Sequence, residues 1–223
     1  MSIPNFSETN HPLVKSLSHY SDQELLTLFQ NYPTSGQYFV AIFCRYSTMI
    51  YMLIRHSARS LVQADYLFFY IWRHVFFEMG GLDLSVMQSH HRPPTTLQSW
   101  LIKVAAQWVN EVELPPVESI HYNLQAASPP FQFYVERALE QLPPLSRFII
   151  LMAQTFNWSE ARIAAYLQAE GEPLTPVQVR EQLQAGYQIL EATLPEDICE
   201  IYLNRQPMPS DGLKELALEP SMD

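Results

Sequence analysis

The sequence has few cysteines, few glycines and few cations, and each shortage disfavours a class of protein. Its two cysteines, Cys44 and Cys199, are too few and too far apart for a disulfide framework or a paired-cysteine metal site. The six glycines form no phosphate-cradling loop. The adjacent His90 and His91 are better explained as a solvated loop than as metal ligands, because no third ligand accompanies them. We therefore expect reduced thiols, no metal, no cofactor and no enzymatic activity.

Positive charge is scarce and unevenly distributed. The net charge is −10, from 13 Lys and Arg against 23 Asp and Glu. Residues 21–112 balance six cations with six acids, whereas residues 191–223 hold two cations and eight acids. A net-negative protein does not bind nucleic acid through its overall field, so any DNA contact has to come from a local patch or a partner.

The sequence also lacks a recognisable segment for export or membrane insertion. The N-terminal residues have no apolar stretch typical of a signal peptide. The most apolar run, "YLFFYIW" at 66–72, is too short to span a bilayer. We predict a soluble, cytoplasmic protein with no membrane partner.

Apolar residues recur at helical spacing almost throughout, with no convincing strand pattern. Four prolines within residues 113–130 interrupt the helical pattern and indicate a linker. The sequence therefore predicts an all-α protein with two helical domains. The predicted parts are an N-terminal extension (1–20), a first helical domain (21–112), a proline-rich linker (113–130), a second helical domain (131–204) and a loose acidic tail (205–223).

The segment "LTPVQVREQLQAGYQIL" (174–190) begins as a DNA-reading helix begins. Thr175 can cap the first turn, and Pro176 fits the first helical position, where its missing N–H is not needed. An apolar stripe follows at helical spacing. Yet Arg180 is the single cation of the stretch, with Glu181 beside it.

The preceding segment carries a family resemblance. "LPPLSRFIILMAQTFNWSEARIAAYL" (142–167) resembles the C-terminal helix-turn-helix domain of bacterial RNA polymerase sigma factors of the sigma-70 family, especially the two-domain extracytoplasmic-function type. The recognition helix of that family falls on "VREQLQAGYQIL". The matching positions are Leu142, Pro143, Arg147, Leu151, Trp158, Glu160, Ile163, Ala164 and Leu167.

Residues 21–112 look like the promoter-melting domain of the same family, and "LQSWLIKVAAQWVNE" (97–111) is similar to its closing helix. Trp100, Leu101, Val104 and Ala105 match there. Four departures accompany the resemblance, one of which is that the recognition helix holds glutamines in place of most of the family's cations. The acidic polymerase-docking stretch reads "VQADY" (62–66), the closing helix keeps one cation, and "QAEGEP" (168–173) lengthens the turn before the recognition helix.

The resemblance implies two sets of binding residues. For the glutamines of the recognition helix, the alternative is an ordinary solvated helix face. For the two tryptophans of the closing helix, the alternative is packing in the core. The implied DNA contacts are Thr175, Gln178, Arg180, Gln182, Gln184, Trp100, Lys103 and Trp108. The implied polymerase contacts are Gln63, Asp65, Tyr66 and Phe69.

Two functions remain open at this point. A sigma-like initiation factor would bind core RNA polymerase, which supplies the grip on promoter DNA that so few cations cannot supply alone. It would present Gln178, Arg180 and Gln182 outward in a positive neighbourhood from Arg147 or Arg162. The alternative is an interaction module that has lost promoter reading and regulates transcription through polymerase, an anti-sigma factor or another regulatory protein. That module would show an apolar or acidic face.

Overall fold

The fold is entirely helical across the part of the chain that the structure describes. The computed structural model describes residues 4–84, 96–120, 122–124 and 127–203, and no strand occurs in them. The all-α prediction is confirmed. The helices are α1 (Pro12–Ser16), α2 (Asp22–Asn31), α3 (Gln37–Ser57), α4 (Leu61–Glu78), α5 (Leu97–Glu111), α6 (Pro129–Glu140), α7 (Pro144–Thr155), α8 (Glu160–Ala169), α9 (Pro176–Thr193) and α10 (Glu196–Tyr202).

Side-chain caps set where most of these helices begin. Ser21 and Glu24 form a reciprocal capping box at α2, in which each side chain satisfies a backbone N–H that the helix leaves unpaired. Thr96 and Ser99 form a second capping box at α5, and Ser60 and Ser159 cap α4 and α8 by accepting from the amide three residues on. The starts of these four helices are therefore encoded locally.

The long helices α3 and α4 form the centre of the fold. Their facing sides bury a cluster of aromatic rings, with the rings of Phe43 and Trp72 4.8 Å apart and those of Phe39 and Phe76 4.9 Å apart. By length and composition alone α3 could cross a membrane, and 56% of its apolar window is buried inside the fold. Packing in the core accounts for its apolar character.

The first twenty residues contribute to this core. A 3-10 turn (Ser7–Asn10) and α1 pack against α3. The Phe6 ring lies 4.8 Å from Phe43 and 5.8 Å from Phe68. The segment predicted as an extension therefore covers one side of the helical centre.

The main core continues across the proline-rich segment into the second half of the chain. Phe133 of α6 is buried and lies 5.3 Å from Phe69 and 5.5 Å from Phe76, centroid to centroid. Pro129 and Pro130, expected in the linker, are the first two residues of α6, where proline is well tolerated. One apolar cluster thus extends from Phe6 to Ile201.

A second, smaller cluster belongs to α7, α8 and α9, which we call the helix-turn-helix unit. Its buried members are Ile149, Ile163, Ala164, Leu167 and Val179. The C-terminal half of α9 leaves this cluster, because Leu190 is buried in the main core. The α9 helix therefore ties the helix-turn-helix unit to the rest of the molecule.

Candidate nucleic-acid interface

The connection between α8 and α9 is a six-residue turn held by backbone hydrogen bonds. The Gly171 amide donates to the Gln168 carbonyl (3.3 Å), and the Glu172 amide donates to that of Leu167 (2.8 Å). Gly171 adopts φ +90°, a conformation that favours glycine. The lengthened turn is thus an ordered end to α8, and it places the exposed first turn of α9 next to α8.

Thr175 and Gln178 are committed to capping α9. The Thr175 hydroxyl accepts from the Gln178 amide (3.3 Å), and the Gln178 Oε1 accepts from the Thr175 amide (2.9 Å). Both residues are exposed. The side-chain NH2 group of Gln178 takes part in neither of these two bonds. That group can therefore donate to a base edge.

Arg180 points outward but is neutralised by a neighbour. Its side chain is 68% exposed, and its Nε donates to the Glu160 Oε1 on α8 at 3.1 Å. The hydrogen bond from Arg180 holds the pKa of Glu160 below its ordinary value. An exposed pair of this kind is worth about 0–1 kcal/mol, so a phosphate or a guanine edge can compete with Glu160 for the arginine.

The two remaining glutamines differ in exposure. Gln182 is half-buried and its Oε1 accepts from the Ser146 hydroxyl at 3.4 Å, whereas Gln184 is exposed. Of the three residues expected to face outward, Gln178 and Arg180 are exposed, whereas Gln182 is only partly exposed. The reason is that Gln182 lies on the side of α9 that packs over α7.

The surroundings of α9 are acidic. Residues 159–193 contain two arginines and five glutamates, a net charge of −3. Arg162 lies over the ring of Trp158, 4.3 Å from its centroid, and Arg147 is half-buried. The face also exposes Val177 and Ile189. A positive neighbourhood is therefore absent from these residues.

The predicted contacts on α5 are divided between core and surface. Trp100 is buried, 7% exposed, so the core-packing alternative describes it. Trp108 is half-buried, with its ring 5.3 Å from that of Tyr70 and 5.0 Å from that of His74. Lys103 is exposed. The two tryptophans thus lie where α5 packs on α3 and α4, whereas Lys103 faces solvent.

The predicted polymerase contacts lie on the first three turns of α4. Gln63 donates to the Pro115 carbonyl (3.3 Å), and Asp65 accepts from the Tyr51 hydroxyl (2.7 Å). Tyr66 is half-buried. Phe69 is 8% exposed and its ring lies 4.5 Å from that of Tyr122. Phe69 is therefore a core residue in this structure, because its ring packs from α4 against the segment before α6.

The cysteines and the metal-ligating side chains are the other reactive groups of interest within the described residues. Both cysteines are free, and burial raises the pKa of the Cys44 thiol to about 12. No group of three metal-ligating side chains occurs in the described part of the chain. His90 and His91 lie outside the described residues.

Sequence reasoning missed the contacts that join the two ends of the chain. The Asp197 carboxylate accepts three hydrogen bonds from residues 35–37. The Tyr202 hydroxyl donates to the buried Glu8 (3.2 Å). Both partners are more than 150 positions away, so no local spacing could have indicated them.

No protein-family model matches the chain, and no curated protein or solved structure matches it significantly.

Proposed function

We propose that this protein is a sigma-like transcription initiation factor that binds core RNA polymerase and helps direct it to promoter DNA. The proposal rests on the arrangement of α8, the turn that follows it and α9. The second helix of this helix-turn-helix begins with an exposed capping box and presents Gln178, Arg180 and Gln184 to solvent. Glutamine and arginine side chains hydrogen-bond adenine and guanine edges in the major groove, at about 1–3 kcal/mol per good pair.

Core polymerase would supply the grip that α9 lacks. Free DNA affinity depends mainly on phosphates neutralised by cations, and the net charge of −3 around α9 opposes it. Once the chain is bound to polymerase, the effective concentration of α9 at the duplex replaces intrinsic affinity. This role would place the protein in the cytoplasm. The two helical domains predicted from the sequence, 21–112 and 131–204, would face two promoter elements.

The start of α4 is the proposed polymerase contact. Gln63, Asp65 and Tyr66 are each partly accessible there, and Leu61 and Val62 are exposed beside them. Because Asp65 is the single charge in this stretch, we expect an interface dominated by apolar and neutral polar contacts, with weak salt dependence.

Reconstitution with core polymerase tests the proposal. We expect the chain to co-elute with core polymerase in gel filtration and to support run-off transcription from a subset of genomic fragments. Gln184→Ala should reduce transcription without reducing complex formation, because Gln184 is exposed on α9. Gln188→Ala is a matched control, an exposed glutamine one turn further along the same helix. Failure of the wild-type chain to bind polymerase would overturn the proposal.

A second candidate is an interaction module that no longer reads promoters. The Arg180–Glu160 pair and the acidic residues around it favour this function, because together they oppose the approach of DNA. The module would bind polymerase, an anti-sigma factor or another regulatory protein. Complex formation with polymerase but no transcription from any fragment would select this candidate.

A further inference from the structure

A pocket lies where the loop between α2 and α3, helix α6 and the end of α9 meet. Its volume is about 290 Å³, near the lower end of the sizes seen for ligand pockets. At about 30 Å³ for each water-sized group, it has room for an occupant of about ten non-hydrogen atoms. Ala138, Leu194 and Pro195 give it an apolar wall, and Thr34 lines it from the loop before α3.

Arg137 supplies the charge of this pocket. Among the described residues that line the pocket, it is the single cation, and its side chain is half-buried. Its guanidinium lies 5.7 Å from the centroid of the Phe76 ring. In the part of the chain that the structure describes, no ion pair or hydrogen bond involves this side chain. Its N–H donors therefore remain available to an oxyanion, which a guanidinium binds through paired hydrogen bonds.

Tyr134 adds a hydrogen-bond donor to the wall of the pocket. It is 3% exposed, and its buried hydroxyl has no hydrogen-bond partner among the described residues. Burial raises the pKa of this hydroxyl, and Asp197 raises it further, whereas Arg137 lowers it. The hydroxyl therefore stays protonated at neutral pH and lies near both charges. An unpaired buried donor is costly, so an occupant with an acceptor oxygen would satisfy it.

The charges around the pocket limit the charge of its occupant. Asp197 is close enough to act on the Tyr134 hydroxyl, and its carboxylate already accepts hydrogen bonds from residues 35–37. Arg137 can balance one negative charge beside Asp197 but not two. A phosphate monoester carries about two negative charges near neutral pH, whereas a carboxylate carries one.

We propose that this pocket binds a small monocarboxylate. The carboxylate accepts hydrogen bonds from the Arg137 guanidinium, and its apolar body lies against Ala138, Leu194 and Pro195. The Tyr134 hydroxyl is covered in this structure, so it donates to the ligand after a small shift of neighbouring side chains. The site is independent of the proposed function, because none of these contacts involves polymerase or DNA.

Titration of the full chain with benzoate, followed by amide chemical shifts, tests the site. Benzoate has the size and charge that the pocket admits. We expect saturable shifts at residues 34, 137–141 and 193–194, which line the pocket or lie between lining residues. Benzamide, the neutral isostere, should bind about tenfold more weakly, the scale of a hydrogen bond to a charged group. Phenyl phosphate should also bind more weakly than benzoate.

Two variants separate ligand binding from structural support. Arg137→Gln should lower the affinity for benzoate about tenfold and leave that for benzamide unchanged. Arg162→Gln is the control, because Arg162 is exposed on α8 and does not line the pocket. Tyr134→Phe should weaken benzoate binding several-fold without lowering the free energy of unfolding of the unliganded protein, because the hydroxyl makes no hydrogen bond within the described residues.

Three outcomes overturn the site. Absence of saturable shifts at the lining residues would mean that the pocket does not take a monocarboxylate. Equal affinities for benzoate and benzamide, or an unchanged benzoate affinity in Arg137→Gln, would mean that Arg137 does not recognise the carboxylate. Tighter binding of phenyl phosphate than of benzoate would contradict the selection of a single negative charge.

Discussion

The carboxyl group of Asp65 is an ionisable group whose environment opposes its charge. It is half-buried beside α3, and burial raises its pKa above the ordinary value of 3.8, although the Tyr51 hydroxyl and Arg55 act in the opposite direction. The folded state therefore holds this proton more tightly than the unfolded chain does. As the pH rises through the interval between the two pKa values, Asp65 lowers the free energy of unfolding.

Asp65→Asn should remove this penalty. Asparagine keeps an oxygen that accepts the Tyr51 hydrogen bond but carries no charge. We expect the free energy of unfolding of the variant, relative to wild type, to increase as the pH is raised from below 3.8 toward neutrality. Urea denaturation at a series of pH values measures this difference, with the exposed Glu181→Gln as control. A difference that falls as the pH rises would contradict the assignment.

Gly36→Ala is expected to destabilise the protein for a steric reason. The new methyl group would lie 2.3 Å from Ile198 and 3.0 Å from the Tyr134 ring, and both side chains are buried. Overpacking of this kind costs about 1–3 kcal/mol. Gly80→Ala is the matched control, because nothing lies within 4 Å of its added Cβ. Equal urea midpoints for the two variants would contradict the close contact of α10 with α3.

At the scale of single elements, helix α9 shows how much a local pattern can specify. Its cap Thr175 and its first residue Pro176 depend on neighbouring residues, so the sequence predicted them correctly, whereas the return bond from Gln178 that completes the capping box was not predicted. The starts of α2, α4, α5 and α8 are likewise local, because the capping residue directly precedes each helix. By contrast, α3 is capped by the distant Asp197, and no side chain caps α6 or α7. The N-terminal turn and α1 were not predicted, because the segment buries only Phe6, Val14 and Leu17 as apolar core residues, and the ring partners of Phe6 are remote in sequence.

Thr175→Ala should weaken α9 from its first turn. Loss of the capping hydroxyl leaves the Gln178 amide without its partner, at a cost of about 1 kcal/mol. Thr27→Ala is a suitable control, because Thr27 is an exposed residue inside α2 whose hydroxyl bonds only the backbone of its own helix. Urea denaturation and exchange at residues 176–179 measure the effect. Equal stability of the two variants would show that the capping box does not hold α9.

On the scale of the whole molecule, the packing of α6 joins the first and second halves of the chain in one hydrophobic core. The sequence predicted separate helical domains from a proline-rich segment, because composition reveals a break in the helical pattern but not what lies across it. Leu124 of that segment is buried, and Phe133 packs among rings from α3 and α4. The candidate site was likewise predictable only where it depends on local sequence. The helix and its outward residues are local features, whereas the Glu160 partner of Arg180 and the burial of Phe69 depend on tertiary packing.

Phe133→Ala should destabilise the whole described body in one step. Deleting a buried phenylalanine costs about 3–5 kcal/mol, and the main core extends from Phe6 to Ile201. We expect one urea transition, seen at the same midpoint by far-UV circular dichroism and by tryptophan fluorescence, and shifted to lower urea in the variant. Phe156→Ala is the control, because Phe156 is 52% exposed. Two separate transitions in wild type would contradict a shared core.

The central claim is that core polymerase supplies the grip for a reader helix with little positive charge. Mapping RNA 5′ ends made in vitro by core polymerase on genomic DNA, with and without this chain, tests it most directly. We predict a discrete set of new start sites that depends on the chain and is reduced by Gln184→Ala but not by Gln188→Ala, while the isolated chain binds the same DNA weakly. Start sites that are identical with and without the chain would contradict the claim.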